Sequence, residues 1–227
     1  MKANIETVRE RIRAAAEAAG RAPESVRLVA VSKTVPAERV RGAVAAGLTL
    51  LGENYIQEAR DKIAALADLS VSWHFIGHLQ RNKAKYAVRL FELIHSVDSL
   101  KLARELDKEA AKHGTVQDIL IQVNTGKEAS KSGVYAEEAL ALAREAGHLD
   151  HLAVRGLMTL PPYFNAPEKV RPYFRALREL RDRIQAEALP GVAMEELSMG
   201  MTGDFEAAIQ EGATLVRIGT AIFGERP

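Results

Sequence analysis

Apolar residues along this chain keep two rhythms, short unbroken runs and longer stretches with an apolar residue at every third or fourth position. The helical rhythm comes first: Ile5, Val8, Ile12 and Ala15 or Ala16 share one face, and Gly20 with Pro23 closes the segment. VRLVAVS (26–32) is then a β-branched run of the kind a strand buried on both faces requires. Pro36 suits the first turn of a helix that closes at Gly47. LTLLG (48–52), WHFIG (73–77) and LFELIHSV (90–97) read as the next strands. A helix from about Asn54 to Leu66 and a short basic helix separate them. Asp98 or Ser99 serves as N-cap of a helix with Gly114 just past its end. DILIQVN (118–124), LAVRGLMTL (152–160), MEELSMG (194–200) and TLVRIG (214–219) complete the strands, and helices are predicted over 136–146, 168–188 and 205–212.

Eight apolar strands separated by helices predict an α/β fold, a (β/α)8 TIM barrel with an extra N-terminal helix that plugs or covers its floor. An open doubly wound sheet uses the same alternation, but the count of eight favours the barrel. No Gly-, Ser- or Pro-rich linker divides the chain, so residues 1–227 are expected to form a single domain. PPYFNAP (161–167) is the one loop of that composition and is expected over the barrel mouth.

Composition removes several function classes. The 227 residues are 47% hydrophobic, enough for a sizeable core, and the formal net charge is only +1 with no long block of one sign. That argues against nucleic acid as the main partner. With no cysteine, disulfides, thiolate catalysis and cysteine-ligated metals are excluded. The Arg-rich N-terminus carries Glu6, Glu10 and Glu17 and no apolar core, so it reads as a surface helix rather than a targeting segment. No run reaches the length of a membrane span, and the expected location is the cytoplasm.

The carboxyl ends of barrel strands carry the site. Here they end in Ser32-Lys33-Thr34, Glu53-Asn54-Tyr55, His78-Leu79-Gln80, His95-Ser96, Asn124-Thr125, Met158-Thr159, Ser198-Met199-Gly200 and Arg217-Ile218-Gly219-Thr220. Lys33 should project into or near the barrel mouth, and a lysine amine buried there loses hydration, which favours the neutral form that condenses with aldehydes. A snorkelling lysine is the plainer alternative. Gly200–Gly203 and Gly219–Thr220 follow the seventh and eighth strands, where barrels commonly hold phosphate. An aldehyde-bearing phosphate such as pyridoxal phosphate satisfies both ends at once. Arg217, inside an apolar strand, needs an acceptor: a structural carboxylate, or the pyridine nitrogen of such a ligand, which it would keep unprotonated. The six histidines show no metal-ligand spacing, so no metal is expected, and neither a P-loop nor a dinucleotide fingerprint occurs.

Taken together, LVAVSKTVP (28–36), GENYIQEA (52–59), WHFIGHLQRNK (73–83), HSVDS (95–99), QVNTGKEASKSG (122–133), RGLMT (155–159), LSMGMTGD (197–204) and VRIGTAIFG (216–224) resemble the pyridoxal phosphate homeostasis proteins. Their fold is similar to the barrel domain of alanine racemase. The resemblance implies that Lys33 holds pyridoxal 5'-phosphate as a Schiff base and that Asn54 lies against the ring. It implies that Ser198, Gly219 and Thr220 bind the phosphate, and that Arg217 faces the pyridine nitrogen. Met201 and His78 would wall the pocket. Lys131 matches a lysine linked to passing cofactor on, although a solvated loop lysine is the plainer reading. Thr202 stands where the family more often has serine, which keeps the hydroxyl.

Two functions compete. One is a non-catalytic carrier and buffer of pyridoxal phosphate, expected to be monomeric, with pyridoxal phosphate-dependent apo-enzymes as the partners such a carrier would serve. The other is an amino-acid racemase on the same barrel. Two-base racemisation needs an acid/base on each face of the substrate. In alanine racemases a tyrosine contributed with a C-terminal β domain supplies the second. The five tyrosines here, Tyr55, Tyr86, Tyr135, Tyr163 and Tyr173, sit in no such context. The expected set of catalytic residues is therefore empty. A phosphosugar enzyme would need paired carboxylates, for which Glu53 and Asp204 are the rim candidates.

Overall fold

The structure is a computed structural model that describes residues 1–128, 130–162, 164 and 166–225. Among these, eight parallel strands close into one barrel in sequence order, the eighth pairing with the first. They are β1 (Arg27–Val31), β2 (Leu50–Glu53), β3 (Ser72–Phe75), β4 (Leu93–Val97), β5 (Gln117–Val123), β6 (Leu152–Thr159), β7 (Val192–Ser198) and β8 (Leu215–Ile218). The helices are α1 (Lys2–Ala18), α2 (Ala37–Ala45), α3 (Ile56–Ala65), α4 (Ala84–Leu90), α5 (Leu100–Lys112), α6 (Ala136–Gly147), α7 (Arg171–Ala186), α8 (Phe205–Gln210) and α9 (Thr220–Phe223). Closure of the sheet excludes the open doubly wound alternative.

Strand alternation sorts side chains into two shells. Val29, Leu50, Leu93, Leu120, Met158 and Leu215 pack inside the barrel. Their neighbours, among them Ala30, Leu51, Ile94, Ile119, Ile121, Leu157 and Val216, face the helices in a larger outer core. The inward face continues upward from Leu93 to His95 and from Leu215 to Arg217, so polar groups take over near the top.

Three elements differ from the sequence reading. The helix expected from Glu168 starts at Arg171, because Pro167–Lys169 forms a separate 3-10 turn and Pro172 sits in the first helical turn. Its missing N–H costs nothing there. The four-residue α9 was not foreseen, since one turn is too short for a periodic signal. The first helix does not close the floor: α1 packs outside the barrel against α8 and α9. Those two helices are six and four residues long. They leave the β8–β1 side of the sheet thinly covered, and the stripe Ile5, Val8, Ile12, Ala15 and Ala16 buries itself there. Burying each of the three larger residues is worth about 1.5–3 kcal/mol. Asn4 Nδ2 donates to the Ile222 carbonyl at 3.1 Å, and the Arg11 guanidinium lies 4.6 Å from the Phe205 ring centre. In the expected mouth loop, Tyr163 and Asn165 lie outside the described residues, as does Ala129 of the 122–133 stretch.

Candidate functional site

The β1–β8 register sets Val29 beside Arg217 and Ala30 beside Ile218. The Lys33 turn and the Gly219–Thr220 turn therefore leave the barrel side by side, and Val31, Thr34, Gly219 and Thr220 line one cleft. Lys33 is half-buried, Gly219 half-buried and Thr220 exposed at this rim.

A buried ion pair fixes the Lys33 turn from behind. Lys62 of α3 donates to Glu53 Oε1 at 2.5 Å, to Glu58 Oε1 at 2.9 Å and to the Ser32 carbonyl at 2.6 Å. The Ser32 hydroxyl donates to the same Glu53 oxygen at 2.6 Å, and the Thr34 N–H donates to Glu58 Oε1 at 2.5 Å. Thr34 has φ +63°, a left-handed conformation uncommon outside glycine. The residues on both sides of Lys33 are thus held by the cluster. Burial raises the Glu53 carboxyl above the usual carboxylate range, against the pull of Lys62 and Ser32. Glu53 Oε2 has no protein partner. Glu53 faces α3 rather than the mouth, which removes it as a rim acid/base. Asp204 instead accepts the Met201 N–H at 2.6 Å as a turn cap.

Arg217 is 4% exposed inside the barrel. It donates through Nη1 to Ser198 Oγ at 2.6 Å and through Nη2 to the Thr159 carbonyl at 2.8 Å. Burial pushes its guanidinium down to about 10, partly offset by Asp204, so it stays cationic at neutral pH. Of the two acceptors considered from sequence, no carboxylate among the described residues is bonded to it. Ser198 is fully buried, with its hydroxyl 2.8 Å from His95 Nδ1, and His95 Nε2 lies 2.9 Å from His74 Nδ1.

Two glycines are required by close approach. Gly77 lies against the Asn54 main chain, where any Cβ would overlap it, and this seats Asn54 at the β2–β3 rim. Gly200, at φ +93°, presses on Ala208 and Phe205 while its carbonyl accepts the Arg217 N–H at 3.0 Å. Asn54 Oδ1 is buried with no hydrogen-bond partner among the described residues. Met201 stands 37% exposed beside Asp204.

His78 stands apart from this group. Its side chain is 59% exposed, its ring nitrogen lies 3.2 Å from Ser132 Oγ and 3.8 Å from Asp98, and it shares an outer cavity with Asn54, Tyr55 and Lys83. Lys131 donates to the Pro161 carbonyl at 2.8 Å and pairs with Glu128 at 2.8 Å, so it ties the two mouth loops together. No group of three or more potential metal-ligating side chains occurs among the described residues. No described helix is long and apolar enough to cross a membrane.

Residues 3–227 match the family model for the alanine racemase N-terminal domain. A pyridoxal phosphate homeostasis protein of Aquifex aeolicus is 52% identical over 222 residues, covering 98% of this chain and 96% of that protein. One from Pseudomonas aeruginosa is 48% identical over 98% of this chain and 94% of its own length. PipY of Synechococcus elongatus PCC7942, solved with PLP bound, superposes with a TM-score of 0.83 at 38% identity, covering 96% of this chain and 100% of its own. Alanine racemase from Streptomyces coelicolor shares the fold at a TM-score of 0.73 and 22% identity, with 59% of its length covered.

Proposed function

From the premise that this chain belongs to the pyridoxal phosphate homeostasis protein family, we propose that it binds pyridoxal 5'-phosphate through Lys33 and acts in the cell as a carrier and buffer of that cofactor. Bound pyridoxal phosphate supplies an aldehyde and a ring able to take up electron density. The residues present fit it. The half-buried Lys33 lies in a turn at the rim, a cationic guanidinium lies within the barrel, and the Gly219–Thr220 turn beside the Lys33 turn offers backbone and hydroxyl to a phosphate. The buried Asn54 Oδ1 has lone pairs to spare.

The observation that carries the reading is the β1–β8 register, which pairs Val29 with Arg217 and brings the Lys33 turn out beside the Gly219–Thr220 turn. Lys33 holds the cofactor covalently, amine to aldehyde. Lys62 and Glu58 keep its turn in place through Ser32 and Thr34. Arg217 keeps its proton at the guanidinium, so a ring nitrogen facing it accepts a hydrogen bond rather than a proton. Ser198, Gly219 and Thr220 serve the phosphate, and Met201 walls the entrance. His78 belongs to the outer rim, where it meets Ser132.

The protein is non-catalytic in this reading, a cytoplasmic monomer that passes pyridoxal phosphate to apo-enzymes. Two observations support the non-catalytic reading: Glu53 is turned toward α3, and Asp204 caps its own turn. The test is borohydride reduction of the protein loaded with pyridoxal phosphate, followed by peptide mass mapping. The label is expected on Lys33 and absent from Lys33→Ala. Recovery mainly on Lys127 or Lys131 overturns the assignment.

A further inference from the structure

Four polar side chains from four strands form a single file through the otherwise apolar barrel interior. His74 on β3 meets His95 on β4 at 2.9 Å, His95 meets Ser198 on β7 at 2.8 Å, and Ser198 accepts from Arg217 on β8 at 2.6 Å. The two imidazoles and the serine are at most 3% exposed. The far end is not sealed. His74 borders a cavity of about 230 Å³ at the amino-terminal end of the strands, lined with Arg27, Glu92 and Glu196 among others.

We propose that His74, His95 and Ser198 form a hydrogen-bond relay in which the tautomer of His74 at the barrel floor decides whether the Ser198 hydroxyl is turned inward to His95 or released to donate at the mouth. The idea rests on the cofactor site described above and names His74 and His95 as positioning residues for its Ser198–Arg217 end.

The proton count allows two arrangements. Burial holds His74 down to about 3, with Arg27 adding to the shift, and holds His95 well below the usual histidine range. Each ring therefore carries one proton at neutral pH. Arg217 always donates, so Ser198 Oγ always accepts from it. In the first arrangement Ser198 donates to His95 Nδ1, His95 Nε2–H donates to His74 Nδ1, and His74 presents Nε2–H to the floor. In the second, His74 Nδ1–H donates to His95 Nε2 and His95 Nδ1–H donates to Ser198. The serine oxygen then accepts twice and its own proton is available at the mouth, while His74 presents a bare Nε2 to the floor. The total is unchanged: the two bridging protons shift one place along the file, His74 Nε2 gives its proton to solvent in the floor cavity, and Ser198 Oγ takes one from solvent at the mouth. A mixed state would leave two N–H groups or two lone pairs facing each other in a buried contact, which is costly. Both rings must therefore carry their protons on the same-named nitrogen.

Long-range proton–nitrogen correlation spectra of the histidine-labelled apoprotein at neutral pH read this without any cofactor. Matched tautomers at His74 and His95 are expected; one Nδ1–H with one Nε2–H, or a doubly protonated ring, overturns the relay. On loading with pyridoxal phosphate both rings are expected as Nδ1–H, and Nε2–H at either ring in the loaded protein overturns it. Variants separate relay from packing. Asparagine at position 95 places an N–H where Nδ1–H lies, whereas phenylalanine keeps the ring volume without a donor. His95→Phe should weaken pyridoxal phosphate binding about tenfold, with His95→Asn within about threefold of the parent; the reverse order overturns the proposal. Failure of the Lys33 label would sink the cofactor reading and leave the apoprotein tautomers as an independent result.

Discussion

Lys62 lies 2.5 Å from Glu53 with both side chains buried, and the same ammonium group holds the Ser32 carbonyl at 2.6 Å. An ion pair between α3 and β2 thus anchors the main chain one residue before Lys33. Burying two charges is costly, and their attraction offsets that cost only when geometry and further hydrogen bonds are good. Here Ser32 and Glu58 supply those bonds. The cluster holds the turn that carries Lys33, which is a reason to retain charge where an apolar pair would pack.

Lys62→Met should destabilise the protein by about 3–5 kcal/mol, because it leaves Glu53 buried without its cation. Urea unfolding measures this. The double variant Glu53→Gln/Lys62→Met should recover at least half of the loss, since no unpaired charge remains. A single variant as stable as the parent would mean that the pair contributes nothing to the fold. Pyridoxal phosphate affinity should remain reduced in the double variant, whose Ser32 carbonyl has lost its ammonium partner.

Acid should unfold the protein through its interior histidines. In the unfolded chain His74 takes up a proton near its ordinary 6.5, whereas in the fold burial delays this to about 3. Between those values the unfolded state binds more protons, so stability is fully present above about pH 6.5 and declines as pH falls through the window. Each such histidine adds a slope of about 1.4 kcal/mol per pH unit, and His95 acts in the same direction. His74→Phe should lower the slope of unfolding free energy between about pH 6 and pH 5 by one proton's worth. An unchanged slope would mean that His74 is not buried neutral.

The barrel was legible because each of its eight strands is an apolar run bounded by turn residues. The positions of Lys33 just past β1 and of Arg217 within β8 were legible because a cation at the end of an apolar strand is conspicuous. Lys62 was not: it follows Glu58 by four residues on a helix and reads as a solvent-facing pair. Only the third dimension shows Glu53 reaching it from β2. His74 and His95 make buried hydrogen bonds, but nothing in a 21-residue separation says that they touch each other. The place of α1 was also hidden, since it follows from how short α8 and α9 are rather than from its own pattern.

Thr220→Val and Ser198→Ala should each weaken retention of pyridoxal phosphate while leaving capture by Lys33 intact. A neutral hydroxyl donating to a charged group is worth about 1.5–3 kcal/mol. Titration with pyridoxal, which lacks the phosphate, should barely distinguish the Thr220→Val protein from the parent. An equal loss for both ligands would mean that this turn does not read the phosphate. Ser198→Ala is expected to affect both ligands somewhat, because Ser198 also seats Arg217.

The remaining prediction concerns catalysis. Arg217 is bonded to Ser198 and Thr159, is cationic at neutral pH, and does not readily surrender a proton. A ring nitrogen facing it stays unprotonated, which weakens the ring's capacity to accept electron density from a substrate's α-carbon. Racemisation also needs an acid/base on each face, and losing one positioned group typically costs ~10²–10⁴ in rate. On the proposed assignment Lys33 serves one face, and neither Glu53 nor Asp204 serves the other, since each is engaged elsewhere. Loaded protein incubated with L-alanine in deuterated water should therefore show at most slow α-proton exchange with retention of configuration. Exchange is followed by mass and the D-enantiomer by chiral separation, each with Lys33→Ala as control. Slow exchange without D-alanine fits access by Lys33 from one side. Rapid Lys33-dependent formation of D-alanine would reveal a second acid/base at the mouth and make the protein a racemase rather than a carrier.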